Sequence, residues 1–230
     1  MLIFVCVLYL VSIQLFLLMN KEYPKKIAEN VTMYAADPIL YVVDSFLSND
    51  ECDAFIEASK GKLQPSTVIS PDQHIQHESR TSENCWIEHD ANDIVHEVSK
   101  RFSILVQMPI RNAEQYQLVY YKKGAQYKPH FDSFDYETED GKNNWEPGGQ
   151  RMITVIAYLN NVEEGGETGF PELGINVPPK KGDAVVFHNT LPNDAATHPK
   201  INPKSLHGGM PVIKGEKWMV NLWFRENLRY

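Results

Sequence analysis

The chain is poor in cysteine, with three in 230 residues. None of them stands in a CxxC pair or a Cys/His cluster, which argues against a structural zinc site. Cys6 falls in an apolar run, and Cys52 and Cys85 leave two readings open: one disulfide in an oxidising compartment, or two buried thiols. A basic excess is also missing. Net charge is −8, and residues 1–19 hold no charged side chain, so the imbalance belongs to the rest of the chain. Proteins that grip phosphate backbones present a basic face, so nucleic acid is not an expected partner. There is no internal repeat and no low-complexity tract.

What is present is ordinary globular composition, 43% hydrophobic and 23% charged, enough for one domain with a proper core. Residues 1–19, MLIFVCVLYLVSIQLFLLM, are interrupted only by Ser12 and Gln14. A run of about 20 apolar residues matches the hydrocarbon thickness of a bilayer. Its N-terminal position and the lack of a small-x-small cleavage site point to an uncleaved signal anchor. Two signals disagree on topology. Lys21, Lys25 and Lys26 follow the segment, which favours a cytosolic body by the positive-inside rule, whereas Asn30-Val31-Thr32 is a glycosylation sequon, meaningful in the secretory lumen. The expected organisation is an anchor over 1–19, a polar stalk over 20–37 and one folded domain over 38–230.

Ser48-Asn49-Asp50-Glu51 is a capping box that opens a helix through Cys52, Phe55 and Ile56, ending near Gly61. A second helix is expected from about Asn92 to Ile104, with Ile94, Val98 and Phe102 on its apolar stripe. From Glu114 onward the period changes to two. QYQLVYY (115–121), RMITVIAYL (151–159), DAVVFHN (183–189) and KWMVNLWF (217–224) read as strands. No helical pattern separates the later ones, which disfavours a parallel βαβ sheet. The fold class is α+β, an antiparallel barrel or sandwich supported by N-terminal helices. The polar stretch 133–150 is long for a strand connection, and Trp145 within it points to a lid.

His130 and Asp132 are two apart on an expected strand, so both face one side while Phe131 faces the other. Two imidazoles and one carboxylate would leave three positions of an octahedral ferrous ion open for a bidentate co-substrate and dioxygen. The third ligand lies among His188, His198 and His207. If the co-substrate were 2-oxoglutarate, its distal carboxylate would need a fixed cation on a neighbouring strand. Only His207 is followed at ten positions by a lysine, Lys217, which opens a clear strand. The turn-rich His207-Gly208-Gly209 and Pro211 suggest that His207 and Lys217 occupy adjacent strands of a hairpin. Lys217, Met219, Asn221, Trp223 and Arg225 share one face of that strand, and Trp218, Val220, Leu222 and Phe224 form the apolar one.

YYKKGAQYKPHFD (120–132), RMITVIAYLN (151–160), GGETGFPELG (165–174), PKKGDAVVFHN (179–189) and HGGMPVIKGEKWMVNLWFRE (207–226) together resemble the catalytic domain of collagen-type prolyl 4-hydroxylases. The resemblance covers roughly residues 38–226. Its overall length resembles the small single-domain enzymes of plants, algae and large DNA viruses. It implies a double-stranded β-helix, or jelly roll. It also implies hydroxylation of peptidyl proline at C4 with dioxygen and 2-oxoglutarate, releasing succinate and carbon dioxide. Fe(II) is the implied metal, with ascorbate as a further cofactor and a proline-rich peptide as partner. His130, Asp132 and His207 match the iron ligands. Lys217 matches the lysine that pairs with the distal carboxylate, and Tyr121 and Thr168 match positions that hydrogen-bond the co-substrate. Tyr127, Arg151 and Trp223 resemble positions lining the peptide groove. The implied location is the endoplasmic reticulum membrane, of the host if the chain is viral, with the catalytic domain in the lumen. Lysyl hydroxylases usually carry arginine where this chain has Lys217. A hydroxylase of a regulatory protein and a non-catalytic membrane-tethered β-barrel module are the rival readings.

Overall fold

The computed structural model describes residues 23–69, 74–75, 78–192 and 198–229. The expected anchor over 1–19 lies outside them, and no helix among the described residues is long and apolar enough to cross a membrane. The chain opens with β1 (Lys25–Ala28), β2 (Val31–Ala36) and β3 (Ile39–Val43), followed by helix α1 (Asn49–Ala58). Next come β4 (Gln64–Pro65), β5 (Val68–Ile69), β6 (His74–Ile75), β7 (Glu83–Ile87) and helix α2 (Asp93–Val106). β8 (Tyr116–Tyr121) and β9 (Tyr127–His130) precede the short helix α3 (Glu139–Asn143). The later strands are β10 (Arg151–Tyr158), β11 (Glu164–Gly165), β12 (Thr168–Phe170), β13 (Ile175–Val177), β14 (Ala184–His188), β15 (His207–Gly209), β16 (Val212–Lys214) and β17 (Lys217–Arg225), with short 3-10 turns at Pro171–Leu173 and Pro203–Ser205.

A large sheet runs in the order β1-β2-β3-β14-β10-β17-β8-β7-β4, and a smaller one in the order β13-β12-β15-β9. The strands named in these two sheets pair antiparallel throughout. Alternation along β17 divides the core as expected. Val220, Leu222 and Phe224 pack with Phe55, Val98 and Phe102 beneath helices α1 and α2. Met219 packs on the other face, with Val119, Tyr121, Ile156 and Phe170 between the two sheets. The fold is therefore helices, large sheet and small sheet in three layers, and the jelly-roll expectation holds for the two facing sheets.

Local chemistry explains the helix ends. The Ser48 Oγ accepts from the Glu51 N–H at 3.2 Å, and the Glu51 carboxylate accepts from the Ser48 N–H at 2.8 Å, closing the capping box. Asn92 caps α2 by accepting from Val95 N–H at 2.9 Å. The buried stripe of α2 is Val95, Val98, Ser99 and Phe102, whereas Ile94 is exposed. The stripe starts one residue later than the sequence pattern suggested, because the buried serine completes it. Its hydroxyl is satisfied by the Val95 carbonyl at 2.8 Å and the Tyr116 hydroxyl at 2.9 Å.

Two further expectations change, and one left open is resolved. The segment read as a stalk, 20–37, supplies β1 and β2 from Lys25 onward, and Ala35 is buried. Hydrogen bonding along β3 carries this N-terminal hairpin into the large sheet through β14. Cys52 and Cys85 are both buried thiols, with Cys52 Sγ directed at the Tyr158 carbonyl. The 133–150 stretch is tied down instead of forming a loose lid. The Gln150 side chain closes on Phe134, accepting from its N–H at 2.7 Å and donating to its carbonyl at 2.8 Å. Trp145 is buried against Tyr136 and His198.

Candidate active site

β9 and β15 pair so that His130 and His207 are opposite each other. Asp132, just past the end of β9, is buried, while Phe131 between the two is 40% exposed. One donor atom from each of His130, Asp132 and His207 lies within 4.8 Å of the others. The His130 Nε2 is 3.6 Å from Asp132 Oδ1, and the His207 Nε2 is 3.5 Å from Asp132 Oδ2. Each ring is oriented by its far nitrogen: Nδ1–H of His130 donates to the Lys128 carbonyl at 2.9 Å, and Nδ1–H of His207 to the Ser205 carbonyl at 3.0 Å. Both Nε2 lone pairs are thereby aimed at the same space, the tautomer that metal ligation needs.

Electrostatics agree with that geometry. Burial pushes the His207 imidazole down to about 4, so the ring is neutral near pH 7. Burial alone would raise the Asp132 carboxyl, but the His207 and His130 imidazoles and the Arg151 guanidinium outweigh it and hold it below the ordinary carboxylate range. The Thr154 hydroxyl donates to Asp132 Oδ2 at 2.7 Å, and the Asn189 amide donates to Thr154 Oγ1 at 2.8 Å. This relay fixes the carboxylate. Of the other candidate histidines, His198 stacks on Tyr136 at 3.5 Å, and His188 does not join the cluster.

His207 and Lys217 are not neighbours in one hairpin. His207 belongs to the small sheet and Lys217 to the large one, where Lys217 pairs with Tyr121. β16 and the positive-φ Gly215 carry the chain across the gap between the sheets. This crossing puts the two residues on facing walls instead of one. Lys217 is 1% exposed, and its Nζ has no hydrogen-bond partner among the described residues. It lies 5.4 Å from the Tyr121 ring and 5.3 Å from the Tyr158 ring. Burial lowers its pKa to about 7, against a smaller opposing pull from Glu167.

A cavity of about 410 Å³ joins these groups. Its wall includes the His130, Asp132 and His207 cluster together with Tyr121, Thr168, Tyr127, Arg151 and Trp223. All the expected site residues except Lys217 therefore line one space. Lys217 is sealed behind the Tyr121 end. Thr168 Oγ1 shares a 2.7 Å hydrogen bond with the Tyr158 hydroxyl. The Tyr127 ring stacks on His130 at 3.7 Å, and Arg80 sits over Tyr127 at 4.6 Å. The Arg151 guanidinium lies 3.9 Å from the Trp223 ring centroid and grips Glu114 through two bonds of 2.7 and 2.8 Å.

Sequence reasoning missed Glu114, Thr154, Tyr158 and Arg80. Thr154 had a readable signal, a lone hydroxyl in an Ile/Val run. Glu114 and Arg80 had none, since their partners are distant in the chain. The donor set fits a ferrous ion: two imidazoles that present Nε2 and one carboxylate, in the wall of a cavity. Behind Tyr121, the buried ammonium of Lys217 has no hydrogen-bond partner among the described residues, so an anionic co-substrate would supply the counter-charge it lacks.

The 2OG-Fe(II) oxygenase superfamily model matches residues 116–225. An Arabidopsis thaliana protein named probable prolyl 4-hydroxylase 7 is 38% identical over 213 residues, covering 84% of this chain, which spans 64% of that relative's length. Prolyl 4-hydroxylase 5 of the same plant is 36% identical over 215 residues, covering 84% of this chain and 70% of the relative. Among solved structures, the viral collagen prolyl hydroxylase of Paramecium bursaria Chlorella virus-1, in complex with 2-oxoglutarate, aligns with a TM-score of 0.63 at 31% identity. That match covers 81% of this chain and 95% of the viral one. Likeness of this degree over most of both chains fixes the family: the chain belongs to the prolyl 4-hydroxylases, within the 2OG-Fe(II) oxygenase superfamily.

Proposed function

We propose that the protein hydroxylates peptidyl proline at C4, consuming dioxygen and 2-oxoglutarate and releasing succinate and carbon dioxide. The observation that carries this is the convergence of His130, Asp132 and His207 in the wall of a cavity that Tyr121 also lines, with the buried, unpartnered Lys217 5.4 Å from the Tyr121 ring. Iron and 2-oxoglutarate, when bound, supply the oxidising chemistry; ascorbate serves as reductant. The side chains do the rest. His130 and His207 present Nε2, and Asp132 presents a carboxylate oriented by Thr154. Lys217 gives the distal carboxylate a cation in a site that excludes water, where a charge pair is worth more than at the surface. Tyr121 and Thr168 flank the approach to it.

The peptide enters over Tyr127, Arg151 and Trp223. Arg151 is held rigid by Glu114 and stacked on Trp223, so it presents a fixed polar edge beside a flat ring. A polyproline II segment suits such a surface, because it carries no internal hydrogen bonds and loses little entropy on docking. A lumenal location accompanies this reading, supported by Asn30, which is exposed in the turn between β1 and β2 and available as the sequon residue.

Mass spectrometry of proline-rich peptides after incubation with Fe(II), 2-oxoglutarate and ascorbate tests the activity. A gain of one oxygen on proline is expected. His207→Ala should abolish both peptide oxidation and 2-oxoglutarate decarboxylation, whereas His198→Ala should retain them. Full activity in His207→Ala would remove that residue from the site.

A further inference from the structure

One face of the large sheet floors the active-site cavity. On β7 that face carries Asn84 and Trp86; Trp86 is opposite Gln117 of β8, and Gln117 is opposite Asn221 of β17. All four line the cavity. The next residue on the same side of the chain is Glu88, just beyond the end of β7, and it lines a second cavity of about 720 Å³. Trp86 belongs to the walls of both. It is 46% exposed, and its ring lies 6.2 Å from Trp223. Glu114 stands in the second cavity and its partner Arg151 in the first. An exposed indole and an ion pair thus stand between the two spaces.

We propose that the second cavity is a distal subsite for the peptide substrate. A chain seated at the His130, Asp132 and His207 cluster continues over the Trp86 indole into the space beside His89, His96 and Lys100. This rests on the reading of the protein as a peptide hydroxylase. The strand sets the length scale. From Asn84 to Glu88 is roughly 13 Å at about 3.3 Å per residue, and a polyproline II chain rises about 3.1 Å per residue. About four residues of such a chain therefore span the stretch from Asn84 to Glu88. Trp86 is suited to the crossing point, since an exposed aromatic platform is what extended proline-rich chains dock on. The consequence is a preference for long peptides whose extension lies on one side of the target proline.

The full-length protein with Fe(II) and 2-oxoglutarate should be given a short peptide with about two residues on each side of one proline, and the same peptide extended by about six residues at either end in turn. One extended peptide is expected to show a KM about tenfold below the short one, the scale of a good aromatic contact. Trp86→Ala and His96→Trp, the latter crowding the second cavity from its exposed rim, should each remove most of that advantage, and Trp86→Phe should keep it. Fluorescence anisotropy of the labelled extended peptide on iron-free protein should weaken in the same order. Equal KM for short and extended peptides, or variant penalties equal on both, would overturn the distal subsite and leave the hydroxylase reading standing. Consumption of 2-oxoglutarate with no peptide hydroxylated would overturn both.

Discussion

β17 carries a buried cation at each end, and the protein treats the two in opposite ways. Arg225, 2% exposed, donates to Glu114 Oε1 at 3.0 Å and to the carbonyls of Asn144, Trp145 and Gly149. Lys217, 1% exposed, has no hydrogen-bond partner among the described residues. A buried charge is tolerated when it is paired and fully hydrogen-bonded, and is costly otherwise. Arg225 is therefore structural. It gathers the 133–150 stretch onto the sheet and, with Arg151, neutralises Glu114. Lys217 is held at a cost that no hydrogen bond among the described residues offsets, which is the observation behind the co-substrate role proposed for it.

The sharpest way to break this contrast is to turn the satisfied end into an unsatisfied one. Glu114→Gln leaves two guanidinium groups, that of the partly buried Arg151 and that of the buried Arg225, without their counter-charge. Breaking a buried pair by removing one partner costs about 3–5 kcal/mol. Urea unfolding should show a loss on that scale, and limited proteolysis should cut first in 133–150, because Arg225 also anchors that stretch. A loss within experimental error would mean that the guanidinium groups are solvated and that the contrast with Lys217 is false.

The opposite operation applies at the other end. Lys217→Met keeps the volume and removes the charge. The free protein is expected to be as stable or up to about 4 kcal/mol more stable, since a buried charge replaced by a packed apolar side chain is neutral or favourable. The 2-oxoglutarate concentration needed for half-maximal turnover should rise about 100-fold, the scale of losing one partner of a desolvated charge pair, while the iron requirement stays within about twofold of the parent. A destabilised Lys217→Met with an unchanged 2-oxoglutarate requirement would make Lys217 structural, like Arg225.

Much of this arrangement was readable from the chain because it follows alternation. The two faces of β17, the pairing of His130 with Asp132 across an outward Phe131, and the capping box at Ser48 are local patterns, and each appears in the structure as expected. What was not readable depends on contacts between distant segments. Glu114 meets Arg151 and Arg225, Thr154 meets Asp132, and Tyr158 meets Thr168, and no spacing rule links them. The N-terminal hairpin was mistaken for a stalk because Lys25, Lys26 and Glu29 give it a polar reading, although its second strand contains the alternating Val31, Met33 and Ala35. His207 and Lys217 were expected side by side because turn residues separate them. The chain instead uses that turn, with β16, to change sheets.

The smallest expected effect is also the most diagnostic, because it runs in two directions at once. Burial lowers Lys217 from 10.5 to about 7 in the free protein. Between those values the unfolded chain binds the proton and the folded one does not, so the free protein should gain stability as pH rises from 7 toward 10.5 and lose that gain as pH falls through about 7. Binding the distal carboxylate of 2-oxoglutarate needs the protonated ammonium. Above pH 7 the proton must be taken up on binding, and affinity should fall by about fivefold between pH 7 and 8, approaching tenfold per unit beyond. Stability of the free protein and affinity for 2-oxoglutarate should therefore move oppositely over the same range. Other titrating groups contribute their own slopes, but Lys217→Met subtracts this one from both curves. Thermal melts of the free protein and equilibrium dialysis of 2-oxoglutarate at pH 7, 8 and 9, run on the parent and Lys217→Met, measure the pair. If the two difference curves have the same sign, or if Lys217→Met changes neither, the buried lysine is not the group that the co-substrate meets. Arg225 provides the control, because a guanidinium stays protonated throughout this range and gives neither slope.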